Sequence, residues 1–308
     1  MKALSPLSGQ RSLVTGASGF IGSHLCRHLD AIGCVVHAVS RTRRPTRKND
    51  HWQQIDLENT EAVRNLLQTV KPDIIFHLSG LVTAVTPLEF VLPTFRSLLT
   101  STVNLLVAAT EVGCRRIVLS ASLTEPRPSD SETVPGSPYA AAKWASSVYG
   151  RMFHALYNAP TVIVRPYMTY GPGQNEKKLI PSVTLSLLRG QRPRISSGQW
   201  RADWIYIDDV IEGYLAAAHI PKIEGSTLDL GTGKLVSVSS VVQQLVQLVA
   251  PDIKPIFGVV PDRPLERVCA ADLATSLSVL GWKPSVCLEA GLKQTIDWYK
   301  TQTAINLL

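Results

Sequence analysis

The chain has 308 residues, 45% hydrophobic and 18% charged, with a formal net charge of +7. That is enough length and apolar content for one large domain or two modest ones, and it excludes a disordered or fibrous protein. The charge favours anionic partners, but neither zinc-finger spacing nor a ribonucleoprotein aromatic motif is present, so nucleic acid is not expected.

The N-terminal MKALSPLSGQRSLVTG has no continuous apolar segment of the secretory kind, and no apolar run approaches a membrane span. Cys26, Cys34, Cys114, Cys269 and Cys287 are odd in number and form no CxxC pair. They read as thiols in a reducing, cytoplasmic compartment, with no metal site.

Short β-branched runs then alternate with longer amphipathic segments. The runs are RSLVTG (11–16), CVVHAVS (34–40), DIIFHLSG (73–80), RRIVLSAS (115–122) and TVIVRP (161–166). Between the first two, Phe20, Ile21, Leu25, Leu29 and Ile32 are spaced for one helix face. Such alternation predicts a doubly wound parallel sheet of the Rossmann type, an α/β fold. Residues 1–165 are expected to form the dinucleotide-binding domain. The irregular, Pro- and Gly-rich remainder, 166–308, is expected to form a smaller α+β substrate lobe, with roughly 204–240 a candidate to return to the sheet.

Directly after the first strand comes TGASGFIG, with Gly16, Gly19 and Gly22 at three-residue spacing leading through Phe20 and Ile21 into a helix. The first glycine permits a tight turn, the second lets backbone approach a pyrophosphate, and the third lets helix and strand pack closely. The helix N-terminus adds N–H groups and positive potential for an anion. About twenty residues on, a carboxylate would bind the ribose hydroxyls of NAD, whereas arginine accommodates the 2′-phosphate of NADP. Here stand Ser40-Arg41 and then Arg43-Arg44, with no acid before Asp50. Arg41, with Ser40 and Arg44 or Arg43, is therefore read as a phosphate socket, while Arg47 and Lys48 are assigned to a solvated loop. NADP(H) is the expected cofactor, with NAD(H) as the alternative.

In GSPYAAAKWASSVYG, Ser137 can cap a helix and Pro138 suits its first turn. Tyr139 and Lys143, at i and i+4, then project from one face. A neighbouring ammonium stabilises a phenolate, which makes a tyrosine useful for proton transfer at a carbonyl oxygen. Upstream, VLSAS ends a predicted strand at the edge where open parallel sheets bind ligands, and Ser122 could share a substrate oxygen with Tyr139.

With these motifs, and with FHLSG, RPYMTYGPGQ, RADWIYIDDV and LGWKP…GLKQTIDWY in order, nearly the whole chain resembles the extended short-chain dehydrogenase/reductase family. The likeness is to its nucleotide-sugar epimerase, dehydratase and ketoreductase branch. The resemblance implies Tyr139 as catalytic acid/base, Lys143 as its partner, both of them also cofactor ligands, and Ser122 as the third catalytic and substrate-binding member. It further implies Asp56-Leu57 near the adenine, Leu78, Ser79 and Gly80 along the cofactor, and Arg201 and Arg263 on a sugar nucleotide's diphosphate. A homodimer through the helices following Thr86 and Tyr139 is also implied. Asp208 and Asp209 are read as the start of a helix and not as metal ligands.

Ser122 is followed by Leu123-Thr124 where dehydratases of the branch carry Asp-Glu, so dehydration is disfavoured. Met168 and Leu98 replace asparagines usual in the branch. Because a net reductase draws on NADPH, the expected reaction is reduction of a keto group on a nucleotide-linked sugar, such as an NDP-4-keto-6-deoxyhexose. A nucleotide-sugar epimerase is the alternative, and a catalytically silent NADP-binding regulator the remote one.

Overall fold

The structure is a computed structural model that describes residues 5–42, 51–82, 86–126, 133–263 and 265–305. Its strands are β1 (Arg11–Thr15), β2 (Val35–Ser40), β3 (His51–Gln54), β4 (Ile74–His77), β5 (Arg116–Ser120), β6 (Thr161–Pro166), β7 (Met168–Tyr170), β8 (Arg201–Tyr206), β9 (Thr227–Leu230) and β10 (Leu235–Ser237). Seven form one sheet in the order β3-β2-β1-β4-β5-β6-β9. The pairs from β3 across to β6 are all parallel. Strand order reverses between β1 and β4, the place where such sheets leave a crevice for a ligand at their C-terminal ends. The Rossmann-type expectation is met.

The helices are α1 (Phe20–Ala31), α2 (Thr60–Val70), α3 (Val91–Thr94), α4 (Ser101–Val112), α5 (Pro138–Tyr157), α6 (Leu179–Leu188), α7 (Ile207–His219), α8 (Val238–Val249), α9 (Leu273–Leu280) and α10 (Leu288–Ile305). The chain divides into two compact units. One runs to Pro166 and includes Ile211–Leu228 and Ser278–Trp282; the other comprises Tyr167–Val210, Asp229–Leu277 and the chain from Lys283.

In the first unit, Leu13, Ile75, Ile117 and Ile163 on successive strands share a core with Val63 and Leu67 of α2 and Leu105 and Leu106 of α4. Alternate strand residues point to the opposite face, and α1 packs on β1 and β2. Arg116, buried at the start of β5, donates to the Ile220 carbonyl at 2.8 Å and pairs with Glu224 at 2.8 Å, tying the 211–228 segment to the sheet.

The strand β3 was not expected, because HWQQ shows neither a β-branched run nor alternation. It lies at the sheet edge, where half-exposed polar residues are tolerated. A 3-10 turn (Leu88–Phe90), α3, a π-helical turn (Phe95–Thr100) and α4 run on as one helical stretch, Leu88–Val112. This stretch, 25 residues at a mean hydropathy of 1.3, is long and apolar enough to cross a membrane by length and composition. A helix after Thr86 was expected, but not an apolar span of this length, because Pro93 and a Thr/Ser cluster punctuate the run. Its α4 half belongs to the core.

In the second unit, β10, β8 and β7 form a small sheet. Buried Asp203 of β8 accepts from Thr232 N and Oγ1 at 2.6 Å each, Gly233 N at 2.8 Å and Ala271 N at 3.0 Å. Asp208 and Asp209 lie in the first turn of α7, and Asp209 accepts from Ser285 N, Ser285 Oγ and Val286 N at 2.8–3.0 Å. Buried carboxylates with three or four donors each act as loop anchors. No cluster of three or more metal-ligating side chains occurs among the described residues.

The turn that launches α1 is the tightest approach of backbone to a glycine in the sheet unit. A Cβ on Gly22 would meet the Gly16 carbonyl oxygen at 2.2 Å and the Ala17 Cα at 2.9 Å, both backbone atoms that cannot swing aside. Gly22→Ala is expected to cost about 1–3 kcal/mol in urea unfolding. Gly19→Ala, whose Cβ meets only Gly16 O at 3.1 Å, should cost clearly less; equal losses would contradict this packing.

Candidate active site

The glycine turn is made of backbone. Gly16 sits at φ +69°, and a Cβ there would strike the Leu78 carbonyl carbon at 2.8 Å, so β1 and the end of β4 approach each other through this residue. Gly19 is the N-cap of α1, and no side chain caps the helix. The first-turn N–H groups of Phe20, Ile21 and Gly22 therefore point out of the helix end without a side-chain acceptor. Phe20 and Ile21 are half-buried, and the Phe20 ring stands edge-on to His24.

Beside this turn, Ser40 is buried at the end of β2 and its hydroxyl donates to the Thr42 carbonyl. Arg41 is exposed, and its carbonyl accepts from Gln54 Nε2 at 3.1 Å. Arg43, Arg44, Arg47 and Lys48 lie outside the described residues. Asp56 is exposed and closes a local turn by accepting from Glu58 N at 3.0 Å, while Leu57 is buried in the core. Leu78, Ser79 and Gly80 follow β4. Gly80 has φ +142° and lies directly under the Leu98 side chain.

His77, the last residue of β4, is buried between two threonines. Its Nδ1 is 2.9 Å from Thr15 Oγ1 and its Nε2 is 3.0 Å from Thr102 Oγ1. Thr102 donates its own proton to the Leu98 carbonyl at 2.6 Å, so Nε2 carries the hydrogen and Nδ1 accepts. Burial, followed by the Lys143 charge, pushes the imidazole down to about 3.

At the end of β5 the three predicted catalytic side chains come together. Ser137 Oγ caps α5 by accepting from Ala140 N at 3.2 Å, with Pro138 in the first turn as expected. Tyr139 is half-buried, and the Ser122 hydroxyl is near enough to lower its phenol against the effect of burial. Ser122 Oγ also lies 2.9 Å from Thr124 Oγ1 and accepts from Thr124 N at 3.2 Å. Lys143, one turn on and buried, donates from Nζ to the Ser120 carbonyl at 2.6 Å.

One expectation is corrected here. Desolvation raises Tyr139 to about 12, with Ser122 lowering and Glu125 raising it, and Lys143 is not among the groups acting on it. The ammonium is turned to the Ser120 carbonyl, and burial takes Lys143 itself down to about 8. The lowered phenol inferred from i,i+4 spacing is not a property of the chain by itself.

Glu125 was not among the expected site residues. It is 3% exposed, and its Oε1 accepts from Ser122 N at 3.0 Å and Ser147 Oγ at 2.9 Å. Burial raises its carboxyl, against the pull of Ser147, Arg165, Ser122 and Lys143. SLTE at 122–125 is an S-x-x-E pattern, in which a glutamate reaches back to the N–H of the serine. That was the available signal, and its meaning was hidden because the PRPSDS that follows carries no apolar helical pattern.

In the second unit, Arg201 opens β8, exposed, and donates to the Leu235 carbonyl at 3.1 Å. Arg263 is 64% exposed, lies 3.5 Å from Glu266, and helps burial to lower Lys178. Met168 is half-buried at the start of β7.

A glycine turn at the switch point of a parallel sheet, with serine, tyrosine and lysine gathered beyond the next strands, defines an enzyme of the extended short-chain dehydrogenase/reductase class. Residues 12–230 match the model of the NAD dependent epimerase/dehydratase family, and the chain belongs to that family. It is 28% identical to a UDP-glucose 4-epimerase of Mycolicibacterium smegmatis, over 95% of this chain and 99% of that one. A mouse dTDP-D-glucose 4,6-dehydratase is also 28% identical, over 94% of this chain and 89% of its own length. The fold superposes with a TM-score of 0.84 on a UDP-glucuronic acid 4-epimerase from Bacillus cereus in complex with UDP-glucuronic acid and NAD, at 25% identity, covering 95% and 99% of the two chains.

The His77 environment makes a pH prediction. Its unfolded value of 6.5 exceeds the folded value of about 3, so below 6.5 the unfolded chain takes up a proton that the folded one refuses. Stability from this group is thus present above 6.5 and is lost as pH falls. In urea titrations, His77→Gln should flatten the loss of stability between pH 6.5 and 4.5 by about 1.4 kcal/mol per pH unit relative to the parent. Parallel slopes would contradict the neutral, threonine-bracketed imidazole.

Proposed function

We propose that the chain is a nicotinamide-dependent nucleotide-sugar epimerase, working through Tyr139, Ser122 and Lys143. The observation that carries this reading is the approach of the Ser122 hydroxyl to the Tyr139 phenol beyond β5, one helical turn from the buried Lys143 ammonium. The backbone cradle of Gly16, Gly19 and Gly22 and the uncapped start of α1 fit the pyrophosphate of a dinucleotide. Held there, a nicotinamide dinucleotide would supply reversible hydride transfer and, when oxidised, positive charge on its ring. Ser122 orients the sugar oxygen. Tyr139 takes the hydroxyl proton and gives it back, which positive charge beside a phenol otherwise raised by burial makes easier. Arg201 and Arg263 are the candidates for a diphosphate.

Leu123-Thr124 supplies no acid for expelling water, and Glu125 is already engaged by Ser122 N and Ser147. Dehydration is therefore not favoured, although dehydratases are among the relatives. Net reduction of a nucleotide-linked keto sugar by NADPH is the second reading. It rests on the end of β2, where Ser40 and Arg41 stand without a carboxylate. A silent regulator would have no use for the three converging side chains.

We also propose a homodimer. Leu88, Leu92 and Phe95, with Val148, Leu156 and Tyr157 of α5, leave large apolar side chains exposed on helices that pack together. A second copy, and not a bilayer, is taken to cover them. None of the five cysteines forms a disulfide, in keeping with a reducing cytoplasm.

Tyr139→Phe should lower kcat with UDP-glucose or UDP-glucuronic acid by about 10²–10⁴-fold, far more than it weakens cofactor binding; full turnover would sink the assignment. Nicotinamide released on denaturation should be stoichiometric NAD. An empty site that binds NADPH far more tightly than NADH would favour the reductase instead. In sedimentation, the parent should run as a dimer and Leu92→Glu as a monomer.

A further inference from the structure

We propose that Glu125 is a positioning residue of this site, seating the Ser122 peptide and placing a buried negative charge beside the Tyr139–Lys143 pair. The inference deepens the proposed function and rests on that reading for its catalytic consequence.

The geometry has two parts. First, Glu125 Oε1 accepts the Ser122 N–H, while Glu125 N donates to the Ser122 carbonyl at 3.2 Å, so the SLTE turn is clamped from both sides. Ser147 Oγ, from the helix that carries Tyr139 and Lys143, donates to the same oxygen. One carboxylate oxygen thus joins the strand-end loop bearing Ser122 to the helix bearing the other two side chains. A shift of either element would break a buried hydrogen bond, which costs more than the bond contributes.

Second, both described contacts of Oε1 come from donors, which suits an ionised carboxylate. The charged and titratable groups around the cluster are Arg165 of β6, Lys143 and Tyr139 of α5, His77 of β4 and Tyr214 of α7. Neutral His77 adds no charge, and Tyr214 donates to Ser120 Oγ at 2.6 Å. Among the described residues, Glu125 is therefore the anion that acts on both Lys143 and Tyr139. Its sign works the same way on each: it favours the protonated ammonium and the protonated phenol. Burial alone would tend to strip the proton from Lys143, and Glu125 opposes that.

Glu125→Gln keeps an acceptor oxygen for Ser122 N and Ser147 Oγ and removes only the charge. Glu125→Ala removes both. The NAD⁺-loaded chain and its variants would be titrated by tyrosinate ultraviolet absorbance, each differenced against its Tyr139→Phe counterpart to isolate Tyr139. The expected result is a Tyr139 transition displaced to lower pH by about one unit in Glu125→Gln. The acid limb of kcat with UDP-glucose as probe should move in the same direction. Glu125→Ala should lose about tenfold in kcat beyond Glu125→Gln. Superimposed parent and Glu125→Gln titrations would overturn the charge role, and equal kcat in the Gln and Ala variants would overturn the positioning role. A parent that turns over no nucleotide sugar would sink the proposed function, while the tyrosinate titration would still decide whether Glu125 acts on Tyr139.

Discussion

A lysine ammonium held almost out of water is the most demanding element of this molecule, and much of its surroundings follows from it. Lys143 has a backbone carbonyl at 2.6 Å, and a buried carboxylate, Glu125, acts on it. Without them the desolvated charge would discharge by losing its proton. The carbonyl belongs to Ser120, the final residue of β5, so the cation is fixed to the C-terminal edge of the sheet. Because α5 is capped by Ser137 and continues for twenty residues, fixing Lys143 also fixes Tyr139 one turn earlier. The same helix brings Ser147 to Glu125, and Glu125 holds the peptide of Ser122. A single buried charge therefore sets the positions of three side chains from two elements.

The other end of the site follows the opposite rule, since it is built from what is missing. At Gly16 and Gly22 there is no room for a Cβ, and at the start of α1 there is no capping side chain. What remains is peptide N–H at a helix end, which suits a diphosphate and is indifferent to the rest of the ligand. Discrimination between dinucleotides has to come from elsewhere, and the end of β2 is where the sugar edge of such a ligand would be read. Ser40 is turned inward to the Thr42 carbonyl, which leaves the exposed Arg41 as the described side chain able to do that reading.

How much of this was legible in the sequence depended on whether the signal was local. β1, β2, β4, β5 and β6 announce themselves as β-branched runs because they are buried on both faces. The capped start of α5 and the i,i+4 pair are equally local. β3 escaped because an edge strand need not be apolar, and the apolar length of the helix following Thr86 escaped because Pro93 interrupts its pattern. The direction of the Tyr139 perturbation could not be read at all. Spacing says that an ammonium lies one turn away, but only the fold says that it faces a carbonyl of β5. Glu125 is the instructive case, since its S-x-x-E pattern was visible but its meaning depends on Ser147, twenty-two residues further on.

The choice of reaction within this family turns on where acids stand relative to the serine after β5. Leu123 and Thr124 offer none, and Glu125 is reached only at the third position, after the loop has turned inward. Its oxygen is then committed to two donors, so the carboxyl acts on the site through its field and its hold on Ser122, without a proton to give to a leaving hydroxyl. On the proposed reading, that arrangement leaves Tyr139 as the group to exchange protons with a sugar oxygen. A site with one such group can take a hydroxyl to a carbonyl and back, or a carbonyl to a hydroxyl. On the same reading, the end of β2, through the dinucleotide it would select, bears on whether the cycle closes on itself or draws reducing equivalents from outside.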